Sequence, residues 1–232
     1  MPQSYKNYIE TLNKISKAIT SDLYLEDILK LIVSLTANVM KAKICTLWLL
    51  DEKTNELKVR ATQAMSRDYL KARSIKVGEG ILGMVVKEKR PVAIEDVNKS
   101  DQYKEKALAQ KEGLVSMLSV PMLVKDRVIG VINCYTTTVR KFTKSEIELL
   151  STVANQAAVA IENTELMVKA RVFQEELETR KKVEKAKGLL MKEQKITEED
   201  AYALIRKSSM DKRVSMKDIA EAIILSSEIR RK

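Results

Sequence analysis

No proline and no glycine interrupts residues 145–187. Those are the two residue types that break a helix or weaken its interior most. A run of that length without either reads as one nearly continuous helix with folded bodies before and after it. Ile147, Leu150, Ala154, Ala157, Ile161 and Thr164 alternate by three and four along its first half, a helical seam with small residues at its centre. Two readings of that seam stay open: it packs on the chain's own sheet, or it also pairs with its twin in a parallel homodimer. Between Arg171 and Arg180 only Val172, Phe173 and Leu177 continue the apolar spacing, and a bend or mobile joint fits there.

Residues 181–232 read as a small helical bundle. Val183, Ala186 and Leu190 share one face, while Lys181, Lys185, Gly188 and Lys192 make a neighbouring basic stripe with a small residue in its middle. Thr197 with Asp200 three residues on forms a capping box for a second helix. That helix is expected to bury Ala201, Leu204 and Ile205 and to set Tyr202, Arg206, Ser209 and Arg213 along another side. Ser215 and Asp218 repeat the signature for a third helix, with Ile219, Ala222, Ile223 and Ser226 on one stripe. The chain holds 42 Lys and Arg against 32 Asp and Glu, a formal charge of +10. Residues 169–232 carry 17 basic and 12 acidic side chains, so half of the excess sits in the shorter C-terminal part. That balance favours a polyanion. Lysines beside a glycine, and an arginine one turn from a tyrosine, suit a polyanion with unstacked bases. The competing reading is a charged bundle whose lysines form only a solvated face.

The runs AKGLLM (Ala186–Met191), EEDAYALIRKSSM (Glu198–Met210) and DIAEAII (Asp218–Ile224) resemble the ANTAR domain. That family is a three-helix RNA-binding output module of bacterial antitermination regulators. The resemblance implies contact with leader mRNA hairpins through Lys181, Lys185, Lys187, Gly188, Tyr202, Arg206 and, more weakly, Lys207. In that family paired modules grip two adjacent small-loop hairpins and so disfavour an overlapping terminator. Ala186, Leu190 and Met210 are expected to pack. Many ANTAR proteins carry an acidic receiver domain, and this chain shows no receiver-like parallel α/β stretch.

Before residue 145 the pattern differs. Ile9, Leu12, Ile15 and Ile19, then Leu25, Ile28, Leu29, Ile32, Leu35 and Val39, mark two amphipathic helices, the second capped by Ser21 or Asp22. Strand hairpins come next: ICTLWLL with LKVRAT, and LVSMLSVPMLV with VIGVINCYT, where Pro121 indicates a bulge or an edge. Gly78, Gly80 and Gly83 spell GxGxxG, the dinucleotide fingerprint. The short charged segment ahead of them and the surrounding hairpins argue against a Rossmann site. Turn conformations leading into a helix over 81–88 are expected instead. Trp48 reads as a packed anchor.

The chain contains no histidine, which excludes Ser-His-Asp and Cys-His catalysis, histidine-ligated haem and histidine zinc sites. Cys45 and Cys134 lie in separate apolar runs, and their spacing supports neither a metal nor a disulfide framework. They read as small buried residues, with a thiol sensor as the lesser alternative. No carboxylate pair or activated nucleophile stands out, so an enzyme is not expected.

VPMLVKDRVIGVINCYTTTVRKFTKSEIELLSTVANQAAVAIENTEL (Val120–Leu166), with the glycine-rich segment Val77–Val97, resembles a GAF domain. The resemblance implies a twisted antiparallel sheet with helices on one face and a small-molecule pocket on the other. Asn98-Lys99 stands without the partners that mark cyclic-nucleotide GAF domains. The expectation is therefore an α+β chain: a GAF-like domain over 1–168, then an ANTAR-like three-helix domain over 169–232. A cytoplasmic homodimeric regulator is expected, with no membrane span, no cofactor, and a GAF ligand left unidentified. The rival is a ligand-sensing module whose C-terminal bundle binds a partner protein.

Overall fold

The period-two runs become strands because β-branched and apolar residues alternate between two packed faces. A computed structural model describes residues 3–19, 24–64, 66 and 73–230, so the expected cap at Ser21 or Asp22 lies outside the described residues. The elements run α1 (Gln3–Ile19), α2 (Leu25–Met40), β1 (Ile44–Asp51), β2 (Glu56–Thr62), β3 (Ser74–Lys76), α3 (Gly80–Glu88), β4 (Val92–Ile94), α4 (Lys106–Glu112), β5 (Ser116–Val124), β6 (Arg127–Thr136), α5 (Lys144–Gln194), α6 (Glu198–Lys212) and α7 (Met216–Arg230). Two compact units divide them, Met1–Thr164 and Glu165–Lys232, and α5 contributes to both.

In the first unit the six strands form one sheet in the order β3-β2-β1-β6-β5-β4. Every pairing is antiparallel, so among the described residues no βαβ crossover builds a dinucleotide site. The glycines serve the turn instead. Gly78 and Gly80 take positive φ values of 84° and 60°. Gly83 lets α3 settle on that turn, since a Cβ there would stand 2.5 Å from the Lys76 carbonyl oxygen. Pro121 lies just past the short pairing with β4, which ends at Ser119, and a bulge comes after it at Met122/Leu123. Its missing N–H therefore costs no ladder bond on that side.

Helices cover both faces of the sheet, not one. Ile15 of α1, Leu29 and Ile32 of α2, and Leu150, Ala154 and Ala157 of α5 pack on Leu47, Leu118 and Ile132. Ile81, Leu82 and Val85 of α3 cover the opposite face with Trp48, Val131 and Tyr135. The seam predicted along α5 is used here: Leu150, Ala154, Ala157 and Ile161 are buried in this unit's own core. The helix starts at a capping box formed by Thr143 and Glu146. The Thr143 N–H donates to Glu146 Oε2 at 2.8 Å, and the Glu146 N–H donates to Thr143 Oγ1 at 3.3 Å. Burial works against the Glu146 carboxylate, but Thr143 and Arg140 outweigh it and hold its pKa below the ordinary value. From there α5 stays helical through 171–180, without the break that its weakened apolar spacing allowed.

The second unit packs the end of α5 with α6 and α7 around Val183, Ala186, Leu190, Ala201, Ile205, Ile219 and Ala220. Three fully buried alanines let the helices approach closely. Both predicted capping boxes are present: Thr197 Oγ1 accepts from the Asp200 N–H at 3.2 Å, and Ser215 Oγ from the Asp218 N–H at 3.1 Å. Three packing expectations are corrected. Leu204 and Met210 are exposed, and on α7 Ala222 faces outward while Ala220 and Ser227 take inner positions. Among the described residues no helix is long and apolar enough to cross a membrane.

Candidate nucleic-acid interface

At about 100° per residue, an α-helix sets Lys181, Lys185, Gly188 and Lys192 on the side of α5 opposite Val183, Ala186 and Leu190. The burial agrees, with all four exposed. Contacts to the other helices define the edges of this face. On one flank α7 approaches: Lys182 pairs with Glu221, Lys185 with Glu228 at 3.0 Å, and Ser227 Oγ donates to Glu193 Oε1 at 2.6 Å. On the other flank α6 approaches through Glu198. Lys181 and Lys192, between those flanks, make no ion pair among the described residues.

Lys187 is the exception among the basic side chains. It is only 7% exposed, and its ammonium sits 2.6 Å from Glu198 and 2.9 Å from Glu184. The Glu198 carboxylate, then Glu184, pushes its pKa above the ordinary lysine value, and Lys187 holds Glu198 below the usual carboxylate range. The cause is register: position 187 lies four after Val183 and three before Leu190, on the inward side. The structure therefore places Lys187, expected as a phosphate contact, in a buried ion pair between α5 and α6. By contrast, the Lys185–Glu228 pair joins two side chains that are both more than half exposed, and water screens it.

Gly188 gives the clearest local signal. A Cβ built there meets nothing within 4 Å. Glycine in a helix interior costs roughly 0.5–1 kcal/mol against alanine, and no packing within the chain requires it here. On α6, Tyr202 is 44% exposed and Arg206, one turn on, is exposed as well. Lys207 lies about 100° around the helix from Arg206 and so on another side. The Ser209 hydroxyl is committed to the end of α6, where it donates to the Val214 carbonyl at 2.6 Å. The sequence pattern also missed the acidic partners Glu184, Glu198, Glu221 and Glu228, which decide which cations are available. Glu184 was readable as an i,i+3 neighbour of Lys187; the others reach across helices and leave no local trace.

The site thus consists of exposed cations, a bare stretch of backbone and a half-exposed aromatic ring. It holds no nucleophile paired with a base, and the described residues include no cluster of three or more His, Cys, Asp or Glu suited to a metal. Exposed cations, bare backbone and an accessible aromatic ring are the kinds of group through which proteins contact folded nucleic acid. The chain belongs to the GAF domain family, which it matches over residues 23–162, and it carries an ANTAR domain over residues 171–224.

Individual relatives cover these two parts separately. The C-terminal part is similar to the transcriptional regulatory protein PdtaR of Mycobacterium tuberculosis, with 44% identity over 63 residues, 27% of this chain and 31% of that one. The N-terminal part is similar to the phosphoenolpyruvate-dependent phosphotransferase system protein of Escherichia coli, with 23% identity over 155 residues, 67% of this chain and 21% of that one. The chain thus spans less than a third of either curated relative. Among solved structures, the GAF domain of a phosphoenolpyruvate-protein phosphotransferase from Coxiella burnetii superimposes with a TM-score of 0.65 at 22% identity, covering 71% of this chain and 98% of that one. That likeness establishes the fold of the first unit.

Proposed function

We propose that this chain is a non-enzymatic RNA-binding regulator whose ANTAR domain captures a leader RNA folded into two adjacent hairpins and so prevents an overlapping terminator from forming. Lys181, Lys185 and Arg206 contact phosphates, Tyr202 stacks on a loop base, and Gly188 admits the RNA backbone against α5. Lys207 makes a weaker, peripheral phosphate contact. Lys187 stays in its buried ion pair and fixes α5 against α6. The observation that carries this reading is Gly188: an exposed helix-interior glycine with open space over it is unfavourable for the free protein and useful to a closely approaching ligand.

Two hairpins call for two modules, and a second copy of the chain supplies the other. The stripe that supports this lies on α5 after the first unit. Leu166, Ala170, Phe173 and Leu177 keep heptad spacing and all are exposed, Phe173 at 69%. The GAF domain senses a small molecule or a partner and adjusts the paired modules. Single-round transcription through a leader with an overlapping terminator tests the proposal. Readthrough should rise with the full chain and fall to the protein-free level with the Lys181→Ala/Arg206→Ala variant. Equal readthrough with that variant removes the proposed contacts. The exposed side chains Leu225 and Ile229 on α7 favour the alternative, a bundle that docks on a partner protein. A folded dimer that binds no RNA even at low salt would support that alternative.

A further inference from the structure

The two cysteines, 89 positions apart in sequence, are placed directly opposite each other on the central strands β1 and β6, in the register Cys45↔Cys134. Both are free and fully buried. The backbone around Cys45 fixes what kind of pair this is. Its N–H donates to Gln63 Oε1 at 2.9 Å, and its carbonyl accepts from Thr62 Oγ1 at 3.1 Å. Both groups therefore turn toward β2 and away from β6. A residue so oriented forms a non-hydrogen-bonded pair with the strand on its other side, where Cα atoms stand about 4.5 Å apart and side chains come closest. That spacing is at the short end of the range a disulfide bridges, about 4.4–6.8 Å between Cα atoms. The two side chains point to the same face of the sheet and share one packed cluster with Leu150, Ala154 and Ala157 of α5. Burial, and then contact with the Cys134 thiol, pushes the Cys45 thiol well above its ordinary pKa.

We propose that Cys45 and Cys134 are a redox-modification site, closing a reversible cross-strand disulfide in the GAF domain under a two-electron oxidant of the peroxide class. In the first step one thiol loses its proton and attacks the peroxide: an S–O bond forms, the O–O bond breaks, and hydroxide leaves and takes up the proton as water. The sulfur is now a sulfenic acid. In the second step the other thiol attacks that sulfur, an S–S bond forms, the S–O bond breaks, and a second water leaves. Two thiols are oxidised, one hydrogen peroxide is reduced to two waters, and a dithiol reductant reverses the change by exchange. Because burial disfavours the Cys45 thiolate, the reaction is slow compared with that of an exposed thiol. The bond joins the two central strands beneath the part of α5 that packs on them. This site is independent of the RNA contacts, and it takes up the lesser reading of the two buried, reduced cysteines as a thiol sensor. Spacing along the chain does not register strand pairing.

The full native chain treated with hydrogen peroxide, then unfolded in the presence of an alkylating reagent and weighed intact, tests the proposal. The oxidised chain should weigh two hydrogens less than the reduced chain and take no alkyl group. Dithiothreitol should restore two alkylation sites, and the oxidised chain should show a higher unfolding midpoint. Cys45→Ser and Cys134→Ser variants should each fail to close an intramolecular bond. Persistence of two alkylatable thiols in the native chain, under conditions that close the bond in urea-unfolded chain, would overturn the proposal. So would over-oxidation of one sulfur with no S–S bond.

Discussion

Replacing Gly188 by alanine should move stability and RNA binding in opposite directions. The added methyl meets nothing within 4 Å, so it introduces no clash in the free protein. It removes the conformational penalty of a glycine inside α5, worth roughly 0.5–1 kcal/mol. For a unit of this size that raises the unfolding midpoint of the C-terminal bundle by about 2–8 °C. The same methyl would occupy the space through which an RNA backbone approaches. Displacing even one charge-assisted contact, worth about 1.5–3 kcal/mol, weakens binding by roughly tenfold or more. Thermal unfolding monitored by circular dichroism reads the first effect, and fluorescence anisotropy with a labelled two-hairpin RNA reads the second. A Gly188→Ala chain that is more stable and binds RNA as tightly as the parent would refute the reasoning. The glycine would then have no functional explanation in this fold.

Other perturbations separate structural cations from functional ones. Lys187→Met should lower the midpoint of the C-terminal bundle, because Glu184 and Glu198 lose their shared partner, while leaving the salt dependence of RNA binding unchanged. A reduced salt slope would place Lys187 at the phosphates after all. Phe173→Glu should shift the sedimenting species from dimer to monomer, and an unchanged dimer would locate the interface elsewhere. In the GAF domain, the Lys58 ammonium and the Thr54 N–H hold Asp51 down to about 2, from an ordinary value of 3.8. Since the folded state lowers this pKa, its contribution is complete above about pH 4 and is lost as the pH falls toward 2. Acid unfolding of Asp51→Asn should therefore depend less on pH in that window, and an unaltered profile would show that the pair contributes nothing measurable.

Several features of this fold are legible in the sequence because they are local. The capping boxes at Thr197 and Ser215, the hairpins around 51–56 and 124–127, and the glycine turn before α3 all arise from residues within a few positions of one another. Features that depend on which neighbour arrives are not. Helical spacing shows that residues share a stripe, but where two stripes both carry apolar residues it does not say which one is buried. That is why the pattern points Ala222, Leu204 and Met210 inward although all three are exposed. It is also why the seam on α5 divides in two: Leu150, Ala154, Ala157 and Ile161 serve the first unit's core, whereas Leu166, Phe173 and Leu177 remain exposed. The setting of Lys187 and the pairing of the two cysteines are not legible along the chain, for one reason in common. The carboxylate of Glu198 and the strand pairing of Cys45 with Cys134 are long-range contacts, invisible to any pattern read along the chain.

The most direct measurement is the affinity of the full chain for a two-hairpin RNA across a salt titration, compared with that of the Lys181→Ala/Arg206→Ala variant. Two lost phosphate contacts should weaken binding at every salt concentration and reduce the slope of log affinity against log salt by about two. A single hairpin should bind less tightly than the pair. Equal affinity and equal slope for the parent and the variant, in proteins shown to be folded, would mean that the exposed cations of α5 and α6 do not hold RNA.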